Sequence, residues 1–311
     1  MSKLAFVFPG QGSQYVVMGK DLYSEFSEAR EVFDAADDIL GLSISRICFE
    51  GPEDDLKQTI NTQPALFVTS VACCRILMAN GIKPDVAAGH SIGEYAALTA
   101  AGAIRFEDAL PLVRKRGELM NMAATERPGT MAAVIGLDAS KVREACEAAS
   151  SKGVVEVANY NSSAQIVISG EVDAVSAVSD IMKTAGARKV MPLSVSGAFH
   201  SSLMQQASDA LAAELKNTPF MDAVIPVIAN ISADYVCGAD EIRDALARQI
   251  SGSVRWEETM QKMASDGVTR FVEVGPGKVL VGLLKRTVES AEFFNAGDVP
   301  GINDVMAKLA V

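Results

Sequence analysis

Val86-Ala87-Ala88-Gly89-His90-Ser91-Ile92-Gly93 decides the fold of this chain, because an apolar run ends there in a serine flanked by glycines. The run Val86–His90 is short and apolar, which is typical of a buried strand in a parallel sheet. Ile92–Ala101 then follows the period of a helix. A strand that enters a helix through G-x-S-x-G predicts a nucleophile elbow, with the serine hydroxyl exposed at the end of the sheet. The alternative is an accidental match, since so short a pattern recurs often.

The alternation of strand and helix continues outward from this stretch in both directions. Three more buried strands are predicted, at Leu4–Pro9, Val224–Ala229 and Arg270–Val274. Helical periods lie between them, at Pro64–Asn80, Glu107–Ala123 and His200–Leu215. This order predicts an α/β fold built on a parallel sheet.

The middle of the chain has a different rhythm, which predicts a separate small unit. Its strands are expected at Thr130–Leu137, Val154–Asn159, Gln165–Ser169 and Lys189–Val195, and its helices at Ser140–Ser150 and Asp173–Ala185. The resulting βαββαβ order matches a ferredoxin-like unit. Turn residues mark its entrance at Arg127-Pro128-Gly129 and its exit at Ser196-Gly197. We therefore predict a large domain formed by residues 1–127 and 197–311, with residues 128–196 inserted as a small domain.

Composition and charge restrict the class of function. The 311 residues carry a formal net charge of −11, which argues against nonspecific nucleic-acid binding and disfavours a membrane role. The five cysteines are scattered without metal-ligand spacing, as expected of buried thiols in a reducing compartment. The first apolar run is too short for a signal peptide, and apolar stretches such as Ala96–Ile104 are too short to cross a membrane. We therefore expect a cytoplasmic protein with no metal site. We also expect a monomer, since no heptad or repeat suggests assembly.

A catalytic serine needs a base, and the chain contains only two histidines. His90 adjoins Ser91, whereas His200 lies where the small unit returns to the large one. A lone histidine is more often structural or exposed. If Ser91 is the nucleophile, however, one of these two must be its base.

Arg116 lies on the apolar face of its predicted helix, whereas Arg114 and Lys115 point elsewhere. A guanidinium on an apolar face is costly unless an anion or hydrogen bonds meet it. In a purely structural interpretation, Arg116 forms an ion pair within the protein or extends its charged end to solvent. In a functional interpretation, its planar guanidinium binds the carboxylate of a substrate.

The first strand runs into Phe8-Pro9-Gly10-Gln11-Gly12-Ser13-Gln14. A dinucleotide-binding loop needs a third glycine where Tyr15 stands, so we reject a Rossmann cofactor site. The glycines instead allow close approach of the backbone, and the amide of Gln11 can supply an oxyanion donor. The amide of Ile92, at a helix N-terminus, faces a developing oxyanion as well.

Taken together, these motifs resemble the malonyl-CoA:acyl carrier protein transacylases, relatives of the acyltransferase domains of fatty-acid and polyketide synthases. The matching segments are colinear up to Gly277-Lys278-Val279-Leu280, and no site residue is predicted after about Leu284. They are Phe8–Gln14, Gly89–Tyr95, Arg116-Gly117, Asn159–Asn161, Ala198–Ser201, Gln249, Val254–Trp256 and Glu273–Gly277.

The resemblance implies an α/β-hydrolase-like large domain with a ferredoxin-like insert and an active site between them. It implies that malonyl passes from malonyl-CoA to an acyl carrier protein thiol through a malonyl-Ser91 ester, without a cofactor. In this interpretation His200 is the base, oriented by the backbone carbonyl of Gln249. The further roles implied are oxyanion donors at Gln11 and Ile92, a carboxylate anchor at Arg116, a wall against α-branched acyl groups at Phe199, and supporting positions at Asn159 and Asn161.

Two rival classes remain. A serine esterase of the α/β-hydrolase type shares G-x-S-x-G, but its histidine usually lies close to the C-terminus. A noncatalytic relative that binds acyl-CoA or carrier protein is expected to lose the serine, histidine or arginine, and all three are present. Carrier-protein docking is expected to use local positive charge, with Lys189, Lys285 and Arg286 as the candidates.

Overall fold

A computed structural model of the chain describes residues 3–195 and 197–309; Ser196, at the predicted exit of the small unit, lies outside the described residues. The strands are β1 Lys3–Phe8, β2 Val86–Gly89, β3 Thr130–Ile135, β4 Val155–Ser162, β5 Gln165–Gly170, β6 Lys189–Pro192, β7 Val227–Ile228, β8 Tyr235–Val236, β9 Val268–Val274 and β10 Glu292–Ala296. The helices are α1 Lys20–Glu25, α2 Ser27–Leu40, α3 Ile44–Glu50, α4 Glu53–Lys57, α5 Thr59–Ala79, α6 Gly93–Ala100, α7 Phe106–Glu126, α8 Ala139–Ala149, α9 Val172–Thr184, α10 Gln205–Asn217, α11 Ala239–Gln249, α12 Trp256–Ser265, α13 Val279–Thr287 and α14 Val299–Leu309.

The larger sheet has the strand order β10-β9-β1-β2-β7-β8. All of its neighbouring pairs are parallel except β7 and β8. Every residue of β2 is buried, as is all of β1 after Lys3, because helices cover both faces of the sheet. The α/β prediction with a parallel sheet is confirmed, and the sheet presents the end of β2 to the site.

The smaller sheet is antiparallel, with the order β4-β5-β3-β6. Helices α8 and α9 share a buried apolar core with it. The βαββαβ order and this pairing confirm the ferredoxin-like unit. The predicted domain boundaries, at 127/128 and 196/197, stay a prediction.

Several elements differ from their predicted extents. The helix expected from His200 starts at Gln205, after a short 3₁₀ turn at Ser202–Met204, and His200 itself has a φ of 58°. The strand expected over Val224–Ala229 is reduced to β7. The tail, which the motifs did not reach, adds the parallel edge strand β10 and the helix α14.

Helix α5 corrects the expectation that every apolar stretch is too short to cross a membrane. It is 21 residues long, and by length and composition it could span one. However, 83% of its most apolar window is buried inside the protein. It packs against α2, α6 and α7, so its apolarity serves the core.

The packing of α5 on α7 brings the two helices close enough for side chains to bond across them. Gly117 lies so near α5 that an added Cβ would be 3.1 Å from the Cα of Ile60. Pro64 has no N–H to donate to the carbonyl of Ile60, and Arg114 of α7 donates Nη1 to that carbonyl at 3.0 Å. Arg116, beside Gly117, is thereby directed toward the end of β2.

Backbone hydrogen bonds join the small sheet to the large domain. The amide of Tyr160 donates to the carbonyl of Val254 at 2.9 Å, and the amide of Val254 donates to the carbonyl of Ala158 at 2.8 Å. Strand β4 is irregular between Val157 and Asn159. This junction brings the asparagines of β4 toward Ser91.

Candidate active site

The turn between β2 and α6 has the geometry of a nucleophile elbow. Ser91 has a φ of 51°, in the left-handed region that L-residues seldom adopt. An added Cβ on Gly89 would lie 1.9 Å from the carbonyl carbon of Gly93, and one on Gly93 would lie 2.2 Å from the carbonyl oxygen of Phe8. Glycine is required at both positions because backbone occupies the space a side chain would take.

Asn230, which follows β7, holds this turn in place. Its Oδ1 accepts from the amide of Ser91 and its Nδ2 donates to the carbonyl of Gly89, both at 2.6 Å. Backbone strain of this kind costs roughly 1–3 kcal/mol and persists where the surroundings fix it. Asn230, which is remote in sequence, stabilises the strained backbone at Ser91 through these two hydrogen bonds.

His200 is the histidine that reaches the nucleophile. Its Nε2 lies 2.7 Å from Oγ of Ser91, while its Nδ1 lies 2.9 Å from the carbonyl oxygen of Gln249 and 3.2 Å from that of Gly252. Because a carbonyl only accepts, Nδ1 carries the proton and Nε2 is free to accept the serine proton. Burial and the nearby Arg116 charge lower the pKa of His200 to about 3, so the ring is neutral at physiological pH.

His90 points into different surroundings. Its Nε2 lies 2.9 Å from Oδ1 of Asn161 and 3.3 Å from Nδ2 of Asn159, and its ring meets the edge of Trp256. Burial lowers the pKa of His90 as well. The two asparagines thus support His90, and the choice of base that the residues left open falls to His200.

Arg116 is almost fully buried, with 1% of its surface exposed, and its hydrogen-bond acceptors among the described residues are uncharged. Nη1 donates to Oε1 of Gln63 at 2.6 Å. Nη2 donates to Oε1 of Gln249 at 2.9 Å and to Oγ of Ser91 at 3.2 Å. Burial lowers its pKa, but an arginine stays protonated at neutral pH. The guanidinium is therefore a buried cation beside the nucleophile, a position that suits an anionic substrate.

The amides of Gln11 and Ile92 flank the serine. Both residues line the cleft, and neither amide N–H donates to another group in the part of the chain that the structure describes. An added Cβ on Gly10 would lie 2.6 Å from the carbonyl oxygen of His90, so glycine lets this loop approach the elbow. Two amides left free at a nucleophile match the requirement of an oxyanion hole.

The cleft around Ser91, counted together with the solvent space at its open mouth, holds about 820 Å³ of empty space and has a largely apolar wall. The small unit contributes Met131, Val167 and Leu193, the last of which follows β6. Phe199, 4% exposed, also lines the cleft, beside the catalytic candidate His200 in the chain. All of the predicted site residues line this cleft except Gln249, which lies behind Ser91 and bonds to it.

Three residues of the site were missed by the sequence analysis. Gln63 accepts a hydrogen bond from Arg116, Asn230 holds the turn at Ser91, and Glu94 is buried next to Asn230. Oε2 of Glu94 accepts from Nε2 of Gln249 at 2.7 Å and from the amide of Asn230 at 3.0 Å. Burial raises the pKa of Glu94 to about 7. A glutamate at the start of an apolar helix was the available signal, as was the asparagine turn after β7.

Comparison with known proteins identifies the family. The acyl transferase domain family matches residues 5–305. A malonyl CoA-acyl carrier protein transacylase of Bacillus subtilis is 46% identical over 287 residues, which are 92% of this chain and 90% of that protein. The chain belongs to the malonyl-CoA:acyl carrier protein transacylase family.

Solved structures of relatives match this family member over nearly its whole length. An acyl-carrier-protein S-malonyltransferase from Burkholderia pseudomallei superposes with a TM-score of 0.95 at 44% identity, covering 98% of this chain and 99% of that one. A malonyl-transacylase in complex with its type II PKS acyl carrier protein gives a TM-score of 0.96 at 40% identity, covering 98% and 99%. Such coverage includes the tail with β10 and α14, which motif resemblance did not reach.

Proposed function

We propose that the chain is a malonyl-CoA:acyl carrier protein S-malonyltransferase that carries the malonyl group on Ser91 and supplies it for fatty-acid chain elongation. One observation carries the substrate assignment: Nη2 of Arg116 lies 3.2 Å from Oγ of Ser91. The free carboxylate of a malonyl thioester is one methylene from the carbonyl carbon that the serine attacks. An anchor for that carboxylate therefore has to lie beside the nucleophile, as Arg116 does.

In the first half-reaction, Nε2 of His200 takes the proton of Ser91 as Oγ bonds to the thioester carbonyl carbon. The amides of Gln11 and Ile92 hold the oxyanion, and one such donor is typically worth about 3 kcal/mol of transition-state stabilisation. The carbon–sulfur bond then breaks, and His200 returns its proton to the departing coenzyme A sulfur. A malonyl-Ser91 ester remains.

The second half-reaction reverses these roles. His200 takes the proton of the phosphopantetheine thiol of the carrier protein, and the sulfur attacks the ester carbonyl. The bond to Oγ breaks and Ser91 recovers its proton, which gives ping-pong kinetics. The nucleophile, base, anchor and oxyanion donors all come from one chain, so the proposal requires no cofactor, metal or partner subunit. Buried thiols at four of the five cysteines agree with a reducing, cytoplasmic setting.

Carrier-protein docking belongs to the same proposal. Lys285 and Arg286 occupy the last turn of α13, whose earlier residues Leu280 and Leu283 line the cleft. Lys189 is exposed at the start of β6. An acidic carrier protein that delivers a thiol to this cleft is favoured by positive charge near its mouth.

The experiment is intact-protein mass spectrometry after brief incubation with malonyl-CoA, followed by addition of a holo acyl carrier protein. The expected result is a malonyl adduct on the wild type that Ser91→Ala lacks and that the carrier protein discharges with gain of malonyl. Release of free coenzyme A, followed with a thiol reagent, distinguishes fast hydrolysis from absence of reaction. If the wild type forms no adduct and releases no coenzyme A, the proposal fails and a binding role takes its place.

A serine esterase is the second candidate that shares the elbow, and it predicts a different outcome. In an esterase the adduct passes to water, so carrier protein would not change its lifetime. The buried cation Arg116 beside Ser91 favours an anionic acyl group and supports the transferase.

A further inference from the structure

Glu94 is a buried carboxylate on which two parts of the site converge, Gln249 at the end of α11 and Asn230 after β7. Only 1% of its surface is exposed. A single oxygen, Oε2, accepts from the side-chain amide of Gln249 at 2.7 Å and from the backbone amide of Asn230 at 3.0 Å. Burying a carboxylate is costly unless hydrogen bonds meet it, and here its oxygen serves as the acceptor for two amide groups.

The first consequence concerns the orientation of the Gln249 side chain. Its Nε2 donates to Oε2 of Glu94 and to the carbonyl oxygen of Ser91, at 2.7 and 3.0 Å. Both are acceptors, so the NH₂ end must face them and Oε1 must face the other way. Of the two, Glu94 makes the stronger bond when its carboxyl group is ionised, because that bond is charge-assisted.

The second consequence concerns Arg116. With the amide held in this orientation, Oε1 of Gln249 accepts from Nη2 of Arg116 at 2.9 Å. A guanidinium has donors only, so a reversed amide would present NH₂ groups to a donor and leave the arginine without this partner. The backbone carbonyl of the same Gln249 holds His200. One residue thus connects Glu94 to the anchor and to the base.

We propose that Glu94 is a positioning residue for acyl selection: by fixing the amide of Gln249, it holds Arg116 where a substrate carboxylate meets it. The inference deepens the proposed function and rests on it. The charged and titratable groups around Glu94 are Arg116 and Tyr95, and of these Arg116 is a cation at neutral pH. Because Gln249 lies between Glu94 and Arg116, the guanidinium bonds to a neutral amide rather than to the carboxylate, and a substrate carboxylate can become its anionic partner.

The test compares the rates of Ser91 acylation by malonyl-CoA and by acetyl-CoA, measured by quenched-flow mass spectrometry. Glu94→Ala is expected to lower the malonyl-to-acetyl rate ratio by about tenfold or more, toward the ratio of Arg116→Ala. Glu94→Gln is expected to keep the ratio within about threefold, because its Oε1 can replace Oε2 as the acceptor. In a Gln249→Ala background, Glu94→Ala is expected to change the ratio no further.

Asp37→Ala is the matched control. Asp37 is a carboxylate that accepts from Ser43 and from the amide of Ser45, far from the cleft, so its loss affects stability but leaves the ratio unchanged. If Glu94→Ala does not fold, Glu94→Asp withdraws the carboxylate by one methylene and is expected to lower the ratio. Equal loss of both rates in a folded variant overturns the inference and leaves Glu94 a structural residue. Absence of labelling in the wild type counts against the proposed function instead.

Discussion

The guanidinium of Arg116 donates to the nucleophilic oxygen of Ser91 across 3.2 Å, and the same oxygen lies 2.7 Å from Nε2 of His200. The three groups thus form one hydrogen-bonded row in the free enzyme. A malonyl carboxylate must take over the bond that Arg116 makes to Ser91, which leaves the oxygen directed at His200. Substrate binding and activation of the nucleophile are thereby coupled at a single atom.

Arg116→Ala is expected to slow acylation of Ser91 by malonyl-CoA about 100-fold while leaving acylation by acetyl-CoA within a few fold, because only the malonyl group carries a carboxylate for Arg116 to bind. Succinyl-CoA, with one more methylene, is expected to react slowly even with the wild type. Stopped-flow or quenched-flow rates for the three thioesters measure this. Arg114→Ala is the matched control, since Arg114 bonds to α5 and Glu118 rather than to the site. Equal slowing of malonyl and acetyl transfer would contradict the anchor.

Protonation of His200 is not expected to lower the rate of Ser91 acylation near pH 6.5, where a histidine of ordinary pKa would become protonated. Because the pKa of His200 is lowered to about 3, the base stays neutral from pH 8 to pH 5. Glu94, unlike His200, does titrate within this range, because its pKa is raised to about 7. Glu94→Gln removes this titration. Single-turnover rates of both proteins across this range test the prediction. A fall in rate centred at pH 6.5 that persists in Glu94→Gln would assign an ordinary pKa to the base.

The same pKa shifts predict opposite effects of pH on stability. Between pH 6.5 and 3 the unfolded state binds a proton at His200 that the folded state does not, so the contribution of His200 to the free energy of unfolding decreases as pH falls. Between pH 4.5 and 7 the folded state binds the extra proton at Glu94, so its contribution decreases as pH rises. Denaturant unfolding at pH 5 and pH 8 measures this. Relative to wild type, Glu94→Gln is expected to have a higher free energy of unfolding at pH 8 than at pH 5. A pH-independent difference would contradict the raised pKa of Glu94.

Gly89→Ala is expected to destabilise the protein by more than about 3 kcal/mol, because its Cβ would collide with backbone that cannot move aside. Gly282→Ala is the control, since this glycine lies in α13 with open space around its Cβ position. Alanine there should stabilise by about 0.5–1 kcal/mol. Urea unfolding measures both. A mild effect of Gly89→Ala would mean that the elbow tolerates rearrangement.

Phe199→Ala is expected to raise acylation by malonyl-CoA that carries a methyl branch at C2, relative to malonyl-CoA, by at least about tenfold. The reason is that Phe199 fills part of the cleft beside His200, and its removal makes room for the branch. Truncating a buried phenylalanine also costs about 3–5 kcal/mol of stability. Phe33→Ala removes another buried ring, one that does not line the cleft, and controls for that loss. Selectivity that stays unchanged in Phe199→Ala would place the determinant elsewhere.

The sequence by itself determined the elements whose signals are local. Short apolar runs predict buried strands, and G-x-S-x-G predicts the elbow because only glycine fits where backbone crosses backbone. Helical spacing placed Arg116 on the inner face of α7, and the burial of that side chain agrees with the prediction. The βαββαβ order predicted the small sheet, because each strand and helix in that order is indicated by residues close together in the sequence.

Tertiary structure decided how these elements meet. The base is His200 rather than His90 because chain segments 109 residues apart approach each other, and the left-handed backbone at both Ser91 and His200 directs their side chains. The contact of Gln249 with Ser91 spans 158 residues, and that of Arg116 with Gln63 spans 53. No periodicity within a strand or helix encodes such pairings. The buried link from Glu94 through Gln249 to Arg116 therefore emerges only once the chain has folded.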